Sequence, residues 1–278
     1  MCRWAAYHGP SIFLEEVIAS PCQSLIVQSQ HAREGKAETN GDGFGVAWYA
    51  HRSDPGVYRD ILPAWSDPNL RHLARQVRSH LFLAHVRAST GTATNRANCH
   101  PFAVGRWCFM HNGQIAGYDS LRRQLDALLP DELYRHRLGT TDSEVMFLLA
   151  LALGLDSEPA AAVARMAGWM EGLARQAGLE ANLKLTAAFA DGERVYAVRY
   201  ATLGDAPTLY HRRSEGHEGL TLASEPLDAE RNDWQAVPQG SFVTVSQGRL
   251  DIRPFQPEPP ATIAVVLPAA AAPLRVSA

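Results

Sequence analysis

No stretch of this sequence is apolar for long enough to cross a bilayer. The longest helical apolar run, Val145 to Leu155, falls well short of the roughly 20 residues that a spanning helix needs. The start is polar and charged, without the apolar core of a secretion signal, so no membrane partner and a cytoplasmic location are expected. Cysteine is scarce: Cys2, Cys22, Cys99 and Cys108. Two disulfides are formally possible, but a chain of 278 residues without a secretion signal does not need them, and reduced thiols are expected. Charge of one sign is also lacking. A formal net charge of −3 gives neither nucleic acid nor an anionic membrane a reason to bind. Histidines form no tract, and no Cys-x-x-Cys pair occurs. Cys99, His100, Cys108 and His111 share a short window, yet their spacing is not that of a zinc site, and neither metal nor cofactor is expected. Gly41, Gly43 and Gly45 superficially resemble a phosphate loop. A strand pattern follows them instead of a helix, and no Gly-Lys-Ser/Thr does, which excludes a phosphate cradle.

What is present is an ordinary globular composition, 46% hydrophobic and 20% charged, long enough for one large domain or two small ones. No repeat and no linker interrupts residues 2–253. Strands are expected at Arg3–Tyr7, up to Tyr49, at Leu81–Arg87 and at Trp107–Met110. Helices are expected at Asn69–Val77, Tyr118–Leu129, from Thr141 onward and at Glu158–Ala177, with Gly178 as C-cap. Short strands then cluster at Leu183–Ala190, Arg194–Tyr200, Thr208–His211, Leu220–Ala223, Ser241–Val245 and Leu250–Ile252. The Pro- and Ala-rich segment 254–278 reads as a loosely ordered tail. The pattern suits an α+β sandwich of sheets covered by helices.

Four segments carry chemistry, each beside a plainer reading. Cys2 is either a small buried residue or, once Met1 is removed, a thiol nucleophile whose own α-amine serves as base. Arg87, in His85-Val86-Arg87-Ala88-Ser89-Thr90, ends an apolar strand; it is either half of a structural ion pair or a planar fork for a carboxylate. Asn112-Gly113 is either a hairpin turn or a pair of donors for an oxyanion. Thr141-Asp142-Ser143-Glu144 is a capping box, in which Asp142 is also placed to bind an ammonium. Taken together, these groups suit one ligand, with an amino-acid head and a side-chain amide to be cleaved.

In order along the chain, Cys2, Asn40 to Gly45, His85-x-Arg87-x-Ser89-Thr90, Asn98-x-His100-Pro101, His111-Asn112-Gly113 and Thr141-Asp142-Ser143-Glu144 resemble the motifs of the class II glutamine amidotransferase domain, a branch of the N-terminal nucleophile hydrolases. The resemblance covers residues 2–253. It implies a four-layer α-β-β-α sandwich of two antiparallel sheets. It also implies Cys2 as nucleophile, Asn112 and Gly113 as oxyanion hole, Arg87 with Thr90 at the glutamyl α-carboxylate, and Asp142 at the α-ammonium; His100 receives no catalytic role. The Asn-Gly-Asp-Gly-Phe-Gly run is similar to a stand-alone branch. That branch includes the γ-glutamyl amidohydrolase of ergothioneine biosynthesis and the amidohydrolase subunit of a glutathione-degrading complex. The implied activity is cleavage of the γ-amide of glutamine or another small γ-glutamyl compound through a thioester on Cys2. The alternatives are a glutaminase subunit feeding ammonia to a separate synthetase, and a scaffold on a retired enzyme fold. A partner subunit or a homo-oligomer is compatible with either activity.

Overall fold

The computed structural model describes residues 2–34, 38–89, 91–214, 218–229 and 233–259. Thr90, assigned above to the substrate, lies outside the described residues. The strands are β1 (Arg3–Phe13), β2 (Phe44–Tyr49), β3 (Gly56–Asp60), β4 (Arg78–Val86), β5 (Phe102–Val104), β6 (Trp107–Ile115), β7 (Leu183–Ala190), β8 (Val195–Ala201), β9 (Tyr210–Arg213), β10 (Leu220–Ala223), β11 (Gln235–Ala236), β12 (Ser241–Ser246) and β13 (Arg249–Pro254). The helices are α1 (Glu15–Ile18), α2 (Leu25–Gln30), α3 (Pro68–Gln76), α4 (Tyr118–Asp126), α5 (Asp131–Tyr134), α6 (Asp142–Ala152) and α7 (Pro159–Gln176). One sheet runs β11-β9-β10-β1-β4-β2-β3 and the other β13-β12-β8-β7-β6-β5. The strand pairs are antiparallel.

The layers follow from alternation along each strand. In β1, Trp4 and Ala6 point to the interior between the sheets, where they meet Met110, Ala188 and Val243 of the second sheet. Ala5 and Tyr7 point the other way and pack with Ile18, Leu25 and Leu70 of the short helices α1, α2 and α3. On the far side, Phe109, Ala187 and Phe189 of the second sheet carry the apolar α6 and α7. Each sheet is therefore buried on both faces, and the stack is the expected four-layer α-β-β-α sandwich.

Three expectations are corrected. The β6 strand does not end before Asn112: pairing with β7 continues through Asn112↔Thr186 and Gly113↔Leu185 to Ile115, so Asn112-Gly113 is no hairpin turn. Partner strands on a half-built sheet override the weak strand preference of Asn and Gly. The capping box at α6 is only half formed. Thr141 accepts from the Glu144 N–H at 3.2 Å, but Glu144 turns away to accept from the Leu138 and Gly139 N–H groups and from Arg137. Finally, the segment read as a tail begins as packed chain. Pro254 closes β13, Phe255 is buried against Tyr200 and Phe242, and the Glu258 N–H donates to the Ala164 carbonyl at 2.9 Å. Residues 260–278 lie outside the described residues.

Candidate active site

The pairing of β1 with β4 sets Arg3 opposite Val86, which brings Cys2, just before β1, beside Arg87, just after β4. The Cys2 Sγ lies 3.6 Å from the Ala88 carbonyl oxygen. Burial pushes the thiol up from its ordinary range, while its contact with Ala88 and the charges of Arg87 and Arg3 oppose that push. Arg87 is 3% exposed. Its Nη1 donates to the Asp42 carbonyl at 3.2 Å, and its Nη2 donates to Ser89 Oγ at 3.1 Å and Thr92 Oγ1 at 2.7 Å. All these acceptors are neutral. Among the described residues no carboxylate forms an ion pair with Arg87, so the plainer reading of a structural ion pair fails there.

The Asn40-to-Gly45 run is what holds this arginine. The Gly43 carbonyl accepts from Arg87 N, Asp42 N donates to Arg87 O, and the Asp42 carboxylate accepts from Ser89 N at 2.7 Å. Gly43 has φ +113°, and a Cβ there would sit 2.5 Å from Cys99 Sγ and 2.7 Å from the Asp60 carbonyl, so only glycine fits.

The second sheet supplies the opposite wall. Gly113 has φ +149° within β6, and a Cβ there would lie 1.9 Å from the Lys184 carbonyl oxygen. Asn112 is fully buried, and neither its Nδ2 nor its Oδ1 has a partner among the described residues. A buried amide without partners costs about 1–3 kcal/mol, so Asn112 is a group with unspent donor and acceptor capacity. Asp142, the first residue of α6, accepts from Ile115 N at 3.0 Å and Ser143 N at 2.8 Å. These bonds fix its carboxylate at the junction of β6 and α6. Further out, Arg137 ties Glu144, Asp126 and the Tyr118 hydroxyl together, which anchors the approach to α6.

Three histidines lie between these walls. His85 and His100 rings are 4.3 Å apart. His111 Nε2 faces the Lys184 carbonyl at 3.0 Å and its Nδ1 meets Ser143 Oγ at 2.9 Å, which makes Nε2 the donor and Nδ1 the acceptor of a neutral ring. Burial drives His85 down to about 3 and holds His100 and His111 below their ordinary value, although Asp142 pulls His111 back up. All three are thereby held in the neutral form at physiological pH.

A cavity of about 380 Å³ collects these groups: Cys2, Arg87, His100, Gly113, Tyr118 and Asp142 are on its wall. That volume suits a small molecule. Asn112 is not on the wall; its backbone runs into Gly113, which is. Ser89, Thr92, His111 and Ser143 also line the cavity; the sequence raises His100 and His111 only as metal ligands and assigns no role to Thr92, Tyr118 or Ser143. Ser89, His100, His111 and Ser143 stand inside the quoted motifs, whereas nothing marks Thr92 or Tyr118. No group of histidine, cysteine or acidic residues among the described residues is arranged to hold a metal ion, and none of their helices is long and apolar enough to cross a membrane.

The family model for class-II glutamine amidotransferases matches residues 13–264. Similar proteins include a probable glutamine amidotransferase, DUG3, of Saccharomyces cerevisiae, 32% identical over 92% of this chain and 84% of that protein. A gamma-glutamyl-hercynylcysteine sulfoxide hydrolase of Mycolicibacterium smegmatis is 29% identical over 92% of this chain and all of its own. Among solved structures, a glutamine aminotransferase class-II domain protein from Silicibacter pomeroyi superposes with a TM-score of 0.73 at 44% identity, covering 92% of this chain and 100% of that one. Glutamine phosphoribosylpyrophosphate amidotransferase from Bacillus subtilis shares the fold, with a TM-score of 0.61 at 12% identity over 92% of this chain and 49% of that one.

Proposed function

The chain belongs to the class-II glutamine amidotransferases, and on that premise we propose that it is a stand-alone hydrolase of a small γ-glutamyl amide, working through a thioester on Cys2. The observation that carries this reading is the cavity in which the Cys2 thiol meets a fixed aspartate and a buried arginine that has no carboxylate partner among the described residues. The two charges are complementary to the carboxylate and ammonium of a glutamyl head, and the thiol is left for the γ-carbonyl.

Removal of Met1 turns the Cys2 nitrogen from a peptide amide into an amine, whose ordinary pKa of about 7.7–8.0 leaves a useful neutral fraction at physiological pH. The amine takes the thiol proton, directly or through one water, and the thiolate attacks the γ-carbonyl carbon. Gly113 N–H, on the cavity wall, stabilises the oxyanion, and the unpartnered Asn112 carboxamide just behind that wall joins it by turning into the cavity when substrate binds; in comparable sites one such donor is worth about 10²–10³ in rate. The amine's proton passes to the leaving nitrogen, and water then hydrolyses the thioester by the same route in reverse order. The neutral histidines take no proton in this scheme; His100 and His111 line the cavity.

The test is glutamate release by the purified protein from glutamine, glutathione and other γ-glutamyl amides, with Cys2→Ala as control. Full turnover by the protein alone, abolished in Cys2→Ala, is the expected result; turnover by Cys2→Ala overturns the mechanism. A second reading, ammonia supply to a separate synthetase, is favoured by the relative named as a probable glutamine amidotransferase rather than as a hydrolase. It predicts that activity rises strongly only when a partner is added.

A further inference from the structure

An N-terminal nucleophile has a mechanical weakness, since chain ends fray unless something ties them down. Here Cys2 precedes β1 and is outside its ladder, which begins at Arg3. What ties it is a buried ion pair. Arg3 Nη1 donates to the Cys2 carbonyl at 2.9 Å, and Arg3 Nε donates to Glu225 Oε2, also at 2.9 Å. The two side chains are 1% and 0% exposed. Glu225 is itself immobilised, because its carboxylate accepts from Arg33 N and Glu34 N at 2.9–3.1 Å. Its neighbour Ser224 accepts from Trp4 N through Oγ and donates its own N–H to the Trp4 carbonyl.

A buried ion pair is a poor stabiliser, because the desolvation of both charges consumes most of their attraction. Apolar side chains would avoid that desolvation, but they would leave the Cys2 carbonyl and the Arg33 and Glu34 N–H groups without these partners. The pair does something apolar side chains cannot: it grips the carbonyl of residue 2 and puts a fixed cation next to the thiol. We propose that Arg3 and Glu225 are positioning residues for the nucleophile, holding the freed N-terminal cysteine in its attacking geometry from behind. This rests on the reading of Cys2 as nucleophile. Neither residue touches substrate. Glu225 is 222 residues from Arg3, so the segment after β10 becomes part of the catalytic apparatus without lining the cavity.

The experiment uses the processed full chain, with glutamine and glutathione as probe substrates and iodoacetamide as a probe of Cys2. The double variant Arg3→Met/Glu225→Leu removes both charges together and is expected to stay folded, with a melting temperature lowered by the loss of the acceptor for the Arg33 and Glu34 N–H groups. Its kcat is expected to fall about 100-fold, as for a misplaced reacting group, with KM within twofold. Its Cys2 alkylation profile is expected to move to higher pH. Glu225→Gln, which keeps size and an acceptor oxygen, is expected to retain more of the activity than the double variant. A folded double variant with wild-type kcat and a wild-type alkylation profile overturns the proposal and leaves the nucleophile reading standing. Wild-type protein fully alkylated at Cys2 that still releases glutamate overturns the nucleophile reading, and this one with it.

Discussion

Two arginines among the described residues are buried as whole residues, Arg3 and Arg87, and they stand on either side of Cys2. Behind Cys2, Arg3 faces Glu225, so its charge is matched inside the fold. In front, Arg87 is cradled by the Asp42 carbonyl and the hydroxyls of Ser89 and Thr92. Its hydrogen bonds are partly met, but among the described residues no carboxylate pairs with its charge. Burying an arginine without a counter-ion costs several kcal/mol. The difference teaches which charge the fold completes for itself and which, under the proposed function, it leaves to the carboxylate of a ligand.

Removing each arginine tests that contrast most harshly. Arg3→Met strands Glu225 in the interior and is expected to lower stability by about 3–5 kcal/mol, read from urea unfolding. Arg87→Met strands no carboxylate and is expected to cost far less, or to stabilise; equal losses would erase the distinction between the two residues. The next effect is on binding. Arg87→Lys keeps the charge but loses the planar fork, so KM for the glutamyl substrate is expected to rise by about 10-fold or more with a smaller change in kcat. An unchanged KM means that Arg87 is not the carboxylate anchor.

Acid supplies a gentler perturbation. His85, His100 and His111 are neutral in the fold and protonate in the unfolded chain, so unfolding takes up protons. Stability from this source is full above about 6.5, their ordinary value. It falls as pH drops toward about 3, where His85 titrates in the fold, by about 1 kcal/mol per pH unit for that ring. Proton uptake on the front face is opposed by Arg87, whose charge already holds His85 and His100 down. A melting temperature that stays flat from pH 7 to pH 4.5 would contradict the burial of these rings. The smallest effect is expected at the α6 cap. Thr141→Ala should cost about 1 kcal/mol and, by loosening Asp142 alone, raise KM modestly without touching the Arg3 side.

Much of this was legible in the chain because local signals and tertiary structure agree. Leu183–Ala190 and Leu220–Ala223 read as strands and are strands with those bounds. The motifs also brought Cys2, Arg87, Gly113 and Asp142 to one cavity. What stayed hidden has physical causes. The two-residue β11 is too short for an alternation to register, and the edge strand β3 opens on Gly56 and closes on Asp60, both residue types with weak strand preference. Asn112 and Gly113 resemble a turn and become strand only because β7 pairs with them. Glu144 satisfies the capping spacing yet is captured by Arg137, a partner that spacing alone does not reveal. Glu225 carries no local mark at all; its meaning comes from a strand partner at the other end of the chain.

The central claim is that the processed Cys2 carries the glutamyl group. It is tested most directly by mixing the protein with a γ-glutamyl substrate, quenching in acid during turnover, and mapping the modified peptide by mass. A peptide that begins at Cys2, lacks Met1 and bears one γ-glutamyl group on the thiol is the predicted result. Turnover by protein that still carries Met1, or a γ-glutamyl group found on any other residue, would contradict it.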